Sequence, residues 1–237
     1  MSERPTLILV PGLSGRSPFD FPFIAPMLAR QFDVTQVNFE SVTEPDLDSL
    51  LASVEAAVDS CATPPILVGY SLGAVVASRV ASPLAGLVLI AGWWRPAPKL
   101  LAFADVWSTL RAEDSDALDT VASLALFSAE GWDVARVLPA DSVTDALIAL
   151  AARADTSASD LDVIAPTLVI GCSHDEVATT RETQLLFGAI PDARYAEVHS
   201  GHAVTLERPA ELLELITAFA ASPTRFPAGS IITEQAP

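Results

Sequence analysis

The chain repeats one pattern: a short apolar run, an amphipathic stretch, then another apolar run. Predicted strands are Thr6–Val10, Asp33–Val37, Ile66–Gly69, Gly86–Ala91, Thr167–Gly171 and Arg194–His199. Two of them, Leu7-Ile8-Leu9-Val10 and Leu87-Val88-Leu89-Ile90, are apolar throughout. Unbroken apolar runs suit strands covered on both faces, as in a parallel sheet flanked by helices. Predicted helices between them are Phe23–Gln31, Asp46–Ser60, Leu72–Ser82 and Arg181–Ala189. Such alternation dictates right-handed crossovers and an open, mainly parallel α/β sheet.

The pattern breaks between Trp93 and Leu161, where no strand-like run occurs. Three helices are expected instead, near Lys99–Ala112, Asp116–Phe127 and Ser142–Ala154. A helical block inside an alternating fold reads as an inserted cap. The expected organisation is a core of residues 1–92 and 162–223, a cap of 93–161, and a loosely held tail of 224–237. The last core helix, Pro209–Ala221, has proline at its first position and Pro223 just past its end.

Gly69-Tyr70-Ser71-Leu72-Gly73 is a G-x-S-x-G motif set between the strand Ile66–Gly69 and a helix rich in small residues. A sharp strand-to-helix turn lifts the serine hydroxyl above the sheet, and the flanking glycines let the two backbones close up. The simpler alternative is that Ser71 only caps the helix. With this motif the chain resembles the α/β-hydrolase superfamily, in particular its capped serine hydrolases. The resemblance covers residues 5–92 and 162–222.

That resemblance implies a Ser71–Asp175–His202 triad. The family places its base in a loop after the last strand, where Gly201-His202 stands; His199, at the strand end, is the rival. It places its acid after the penultimate strand, where Asp175 follows Gly171-Cys172-Ser173-His174, with Glu176 and Asp162 as rivals. The alternative acid position, after the preceding strand, holds Gly92-Trp93-Trp94 and no carboxylate. By the same resemblance the backbone N–H groups of Leu72 and Leu13 form an oxyanion hole. This chain has Pro11-Gly12 where the family often has His-Gly, which removes a histidine that braces the loop. The loop also arrives at residue 11, so a trimmed sheet of six strands is expected, without the family's N-terminal antiparallel pair.

Thirty acidic residues against thirteen basic ones give a net charge of −17. Such a surface repels nucleic acid and anionic lipid, so neither is expected as a partner. The longest uncharged apolar stretch, Leu84–Trp94, falls well short of the about 20 residues that a membrane helix needs. The N-terminus lacks a signal-peptide layout, which makes the cytoplasm the expected location. Cys61 and Cys172 read as buried free thiols, and nothing calls for a metal or an organic cofactor.

All four tryptophans fall in the cap region. They read either as the cap's own core and seam or as an apolar pocket over Ser71, with Trp93 and Trp94 the substrate-binding candidates. The cap's Arg95, Lys99, Arg111, Arg136 and Arg153 read as solvated charges or as anion contacts. The function expected is hydrolysis of a small, mainly apolar ester or lactone through an acyl-serine intermediate. Thioesterase, amidase, acyltransferase, carbon–carbon hydrolase and cofactor-free perhydrolase chemistry use the same triad. A non-catalytic ligand receptor is the alternative of a different class.

Overall fold

A computed structural model describes residues 4–42, 44–135, 138–156 and 161–232. In chain order the elements are β1 (Thr6–Val10), α1 (Ser17–Asp20), α2 (Ile24–Leu28), β2 (Asp33–Gln36), α3 (Leu47–Asp59), β3 (Ile66–Tyr70), α4 (Leu72–Ala77) and β4 (Gly86–Ile90). Then come α5 (Pro98–Ala112), α6 (Leu118–Leu126), a 3-10 turn at Trp132–Val134, and α7 (Ser142–Ala151). The chain ends with β5 (Thr167–Cys172), α8 (Thr180–Ala189), β6 (Ala193–Val198), α9 (Val204–Glu207), α10 (Pro209–Ala221) and β7 (Ile231–Ile232). The strands form one sheet in the order β2-β1-β3-β4-β5-β6-β7, and every pairing is parallel.

The apolar runs are continuous because the sheet is buried on both faces. Leu7, Leu9, Val68, Val88, Ile90 and Ile170 pack on one side with Phe21 and Leu28 and with Leu212 and Ile216 of α10. Ile8, Val10, Leu67, Leu87, Leu89 and Val169 point the other way, toward Leu50 and Val54 of α3, toward α4, and toward the helical insertion. Each such side chain, fully buried, contributes about 1.5–3 kcal/mol. Local signals start the helices. Asp46 and Ser49 form a reciprocal capping box on α3, with the Ser49 N–H donating to Asp46 Oδ1 at 2.8 Å. Asp141 accepts the Val143 and Thr144 N–H groups at the start of α7.

The helical block α5–α7 lies between β4 and β5, as the broken pattern predicts. Its apolar residues, among them Leu100, Phe103, Trp107, Leu126 and Leu147, join the same buried cluster as the sheet. Trp107 donates its indole N–H to Asp145 at 2.8 Å, and Arg111 clasps the same carboxylate.

The sheet has seven strands where the sequence predicts six. The added β7 pairs with Tyr195 and Ala196 of β6, so the segment from 224 to 232 is docked rather than loosely held. Backbone bonds from Gly229 to Ala193 and from Tyr195 to Ser230 fasten it, and buried Arg194 donates to the Phe226 carbonyl at 2.7 Å. Two paired residues in a stretch of turn-forming residues leave no periodicity to read. The rest of the tail, 233–237, lies outside the described residues. No helix among the described residues is long and apolar enough to cross a membrane.

Candidate active site

The order of the strands reverses around β1 and β3, and in open parallel sheets the carboxyl ends at such a point form a crevice. Ser71 stands there, between β3 and α4. Its backbone has φ 56° and ψ −123°, a region that non-glycine residues rarely occupy. Three contacts hold it. The Ser71 N–H donates to the Ile90 carbonyl, extending the β3–β4 ladder into the turn, at 2.8 Å. A Cβ at Gly69 would lie 2.5 Å from the Gly73 carbonyl oxygen, and one at Gly73 would lie 2.4 Å from that of Pro11. The glycines are therefore demanded by the close approach of β1, β3 and α4.

Ser71 makes no side-chain cap for α4. Its hydroxyl instead lies 2.8 Å from His202 Nε2, and His202 Nδ1 lies 2.7 Å from Asp175 Oδ2. A carboxylate only accepts, so Nδ1 carries the proton and donates to Asp175, leaving Nε2 to accept from Ser71. The other Asp175 oxygen accepts the Val177 and Ala178 N–H groups at 2.8 and 2.7 Å. All three side chains are buried.

Tyr70 steadies the imidazole. Its hydroxyl donates to the His202 carbonyl at 2.9 Å, and its ring lies 5.5 Å from the imidazole, centre to centre. Burial, with the nearby charges of Asp20 and Asp175, pushes the Tyr70 phenol well above its ordinary range, so it stays a donor. The rivals lie elsewhere. His199 and His174 stack edge to face on the surface and share Ser173 Oγ. Glu176 pairs with Lys99, and Asp162 is exposed.

Leu13 and Leu72 are buried at the ends of β1 and β3 beside Ser71. Among the described residues neither N–H donates to a protein acceptor. Trp93 is fully buried, with its indole N–H donating to the Ala154 carbonyl at 2.8 Å. Trp94 is half-buried, and its carbonyl accepts the Thr156 N–H. The two tryptophans thus tie the far end of the insertion to β4. Lys99, Arg95 and Arg111 are spent on Glu176, Asp155 and Asp145, while Arg136 lies outside the described residues. Cys172 is buried and Cys61 half-buried, both free. No cluster of metal-ligating side chains occurs among the described residues.

Two carboxylates with no sequence motif sit at this site. Glu207 of α9 accepts the Ser128 N–H at 2.9 Å and the Gly201 N–H at 3.1 Å, joining the insertion to the histidine loop. A Cβ at Gly201 would lie 2.5 Å from the Ser128 nitrogen, so that glycine answers crowding rather than a need for loop freedom. Asp20, at the end of α1, accepts the Gly12 N–H at 2.7 Å. Burial pushes its carboxyl up to about 7, against the opposing pull of Ser14, the Gly12 N–H and the charge on His202. A buried acid with no nearby motif offers no signal in the sequence.

Residues 7–215 match the alpha/beta hydrolase family. The chain is 27% identical to pyrrolizixenacetamide deacetylase of Xenorhabdus hominickii, across 92% of this chain and 91% of that one. Among solved structures it resembles a thermophilic esterase from Thermogutta terrifontis, with 19% identity, TM-score 0.76 and coverage of 93% and 91%. It also resembles the enol-lactonase from Burkholderia xenovorans LB400, with 20% identity, TM-score 0.75 and coverage of 93% and 92%.

Proposed function

The chain belongs to the alpha/beta hydrolase family, and on that premise we propose that it cleaves a small, mainly apolar ester or lactone through an acyl-serine intermediate. The observation that carries this reading is the unbroken hydrogen-bonded chain from Asp175 through His202 to Ser71. An alcohol is a weak nucleophile without a base, and that chain supplies one already in the attacking tautomer.

In the proposed cycle the Ser71 oxygen attacks the acyl carbon while His202 Nε2 takes the hydroxyl proton. The oxygen of the tetrahedral intermediate lies on the Leu13 and Leu72 N–H groups, which have no acceptor among the described residues to give up. His202 passes the proton to the leaving alkoxide, and the carbon–oxygen bond breaks. It then takes a proton from water, whose oxygen attacks the acyl-serine; the tetrahedral intermediate collapses to the acid as His202 returns the proton to the Ser71 oxygen. Asp175 holds the tautomer and stabilises the imidazolium throughout. Trp93 and Trp94 wall the acyl space from the β4 side.

The same cycle cleaves an amide when His202 protonates a leaving nitrogen. The Xenorhabdus relative, named as a deacetylase, favours adding acetamides to the substrate panel. The test is intact-mass spectrometry after exposure to a fluorophosphonate, with the native chain, Ser71→Ala and His202→Ala compared. One adduct on the native chain, mapped to Ser71 and lost or strongly slowed in both variants, is expected. A folded native chain that takes no adduct would sink the hydrolase reading and leave a ligand-binding receptor.

A further inference from the structure

Asp20 is a buried carboxyl group that the cycle above leaves unused. Its Oδ2 holds the Gly12 N–H at 2.7 Å. The backbone dihedrals of Gly12 aim the next N–H, that of Leu13. Glycine itself resists no rotation, and Pro11 before it has no N–H with which to anchor the loop. Beyond Gly12 the loop is fastened by the Gly15 N–H to the Gly12 carbonyl at 3.1 Å and by Ser14 with Arg16. As pH rises through about 7 and Asp20 ionises, its bond to the Gly12 N–H becomes charge-assisted, and such bonds are about twice as strong as neutral ones.

The groups around Asp20 come from three parts of the chain. The Gly12 N–H, with Ser14 and Arg16, acts on it from the loop after β1, and Tyr70 of β3 and His202 before α9 lie within electrostatic reach. Arg16 spends its guanidinium on Glu40 and Asp141. Around His202 stand Asp175, Ser71 and Tyr70, with Glu207 one residue further out on Gly201.

The geometry points to Asp20 as a positioning residue that sets the Leu13 N–H through its bond to Gly12. This inference rests on the serine-hydrolase reading. Burying a carboxyl group here works against its ionisation, so packing alone does not explain it.

The test uses Asp20→Asn, which keeps an amide oxygen for the Gly12 N–H but no charge, and Asp20→Ala, which keeps neither. With p-nitrophenyl acetate, Asp20→Ala is expected to lower kcat roughly ten- to hundredfold at little change in KM. Asp20→Asn is expected to restore most of kcat, because its amide oxygen still accepts from the Gly12 N–H. The backbone amide signal of Leu13 should shift in Asp20→Ala and stay near its native position in Asp20→Asn, a readout that needs no turnover. Native kcat in Asp20→Ala, or a Leu13 amide signal that Asp20→Ala leaves unmoved, would overturn the inference. A shifted Leu13 amide in a protein whose Ser71 takes no fluorophosphonate would preserve the link from Asp20 to the loop and count against the hydrolase reading alone.

Discussion

The turn at Ser71 is wholly buried and the helical insertion is partly exposed, and the two are held in different ways. The turn is fixed by backbone: a strained φ of 56°, a ladder bond to Ile90, and two glycines pressed against neighbouring main chain. The insertion is fixed largely by side chains, beside backbone bonds from the Ala203 N–H to the Leu126 carbonyl and from the Trp94 N–H to the Glu182 carbonyl. Arg16 reaches Asp141, Lys99 reaches Glu176, Glu207 reaches Ser128, and Trp93 reaches Ala154. Backbone geometry tolerates almost no substitution, whereas side-chain ties can be exchanged one at a time. The Ser71 turn is built mainly from the first kind and the insertion mainly from the second.

If that contrast holds, changes at the turn and at the insertion should separate into effects on reaction and effects on closure. Ser71→Ala should lower ester turnover by at least about a thousandfold while thermal unfolding stays near native, since alanine keeps the backbone contacts. Gly69→Ala should break the turn itself. Its Cβ meets backbone at 2.5 and 2.7 Å, so urea unfolding should register a loss of at least about 3 kcal/mol, together with activity.

Asp20 sharpens the contrast through pH. Its folded pKa of about 7 lies above the ordinary 3.8, so the native state holds that proton more tightly than the unfolded chain does. The associated stability is complete below about pH 4 and is lost as pH rises through 7. Thermal unfolding of Asp20→Asn should therefore gain on the native protein across that window and level off above it. Parallel curves would place the titration elsewhere.

Glu207→Gln removes one acceptor from a buried junction. A stability loss of about 1–3 kcal/mol is expected, with a smaller fall in kcat than for Ser71→Ala, because the insertion and the histidine loop loosen together. Lys99→Ala should matter least. Its pair with Glu176 is exposed, so a change within about 1 kcal/mol that fades with added salt is expected from denaturant curves. A large effect there would make the insertion as rigid as the turn.

The layering was legible because burial on both sheet faces writes itself into contiguous apolar runs. Strand β1 and helix α10 occupy the ranges predicted for them. The other predicted elements differ only at their ends, as α4 does by stopping at Ala77, where fraying and capping are decided by neighbours. Short α1, short α9 and two-residue β7 left no period to detect. For the site, G-x-S-x-G announced itself because a close-packed turn needs glycines at fixed spacing. Asp175 and His202 were reached through family resemblance, and the distances that join them to Ser71 exist only in the folded chain.

The sequence by itself determined the alternation of strands and helices, the interruption by a helical block, and the turn that carries Ser71. Each depends on neighbours a few residues apart, whose spacing the backbone converts directly into shape. Tertiary structure alone decided that Asp20 holds Gly12, that Glu207 joins Ser128 to Gly201, and that the segment after α10 adds a seventh strand. Glu207 and Ser128 stand 79 residues apart. A buried carboxylate takes whatever donors the fold brings to it, and no local pattern specifies which donors those are.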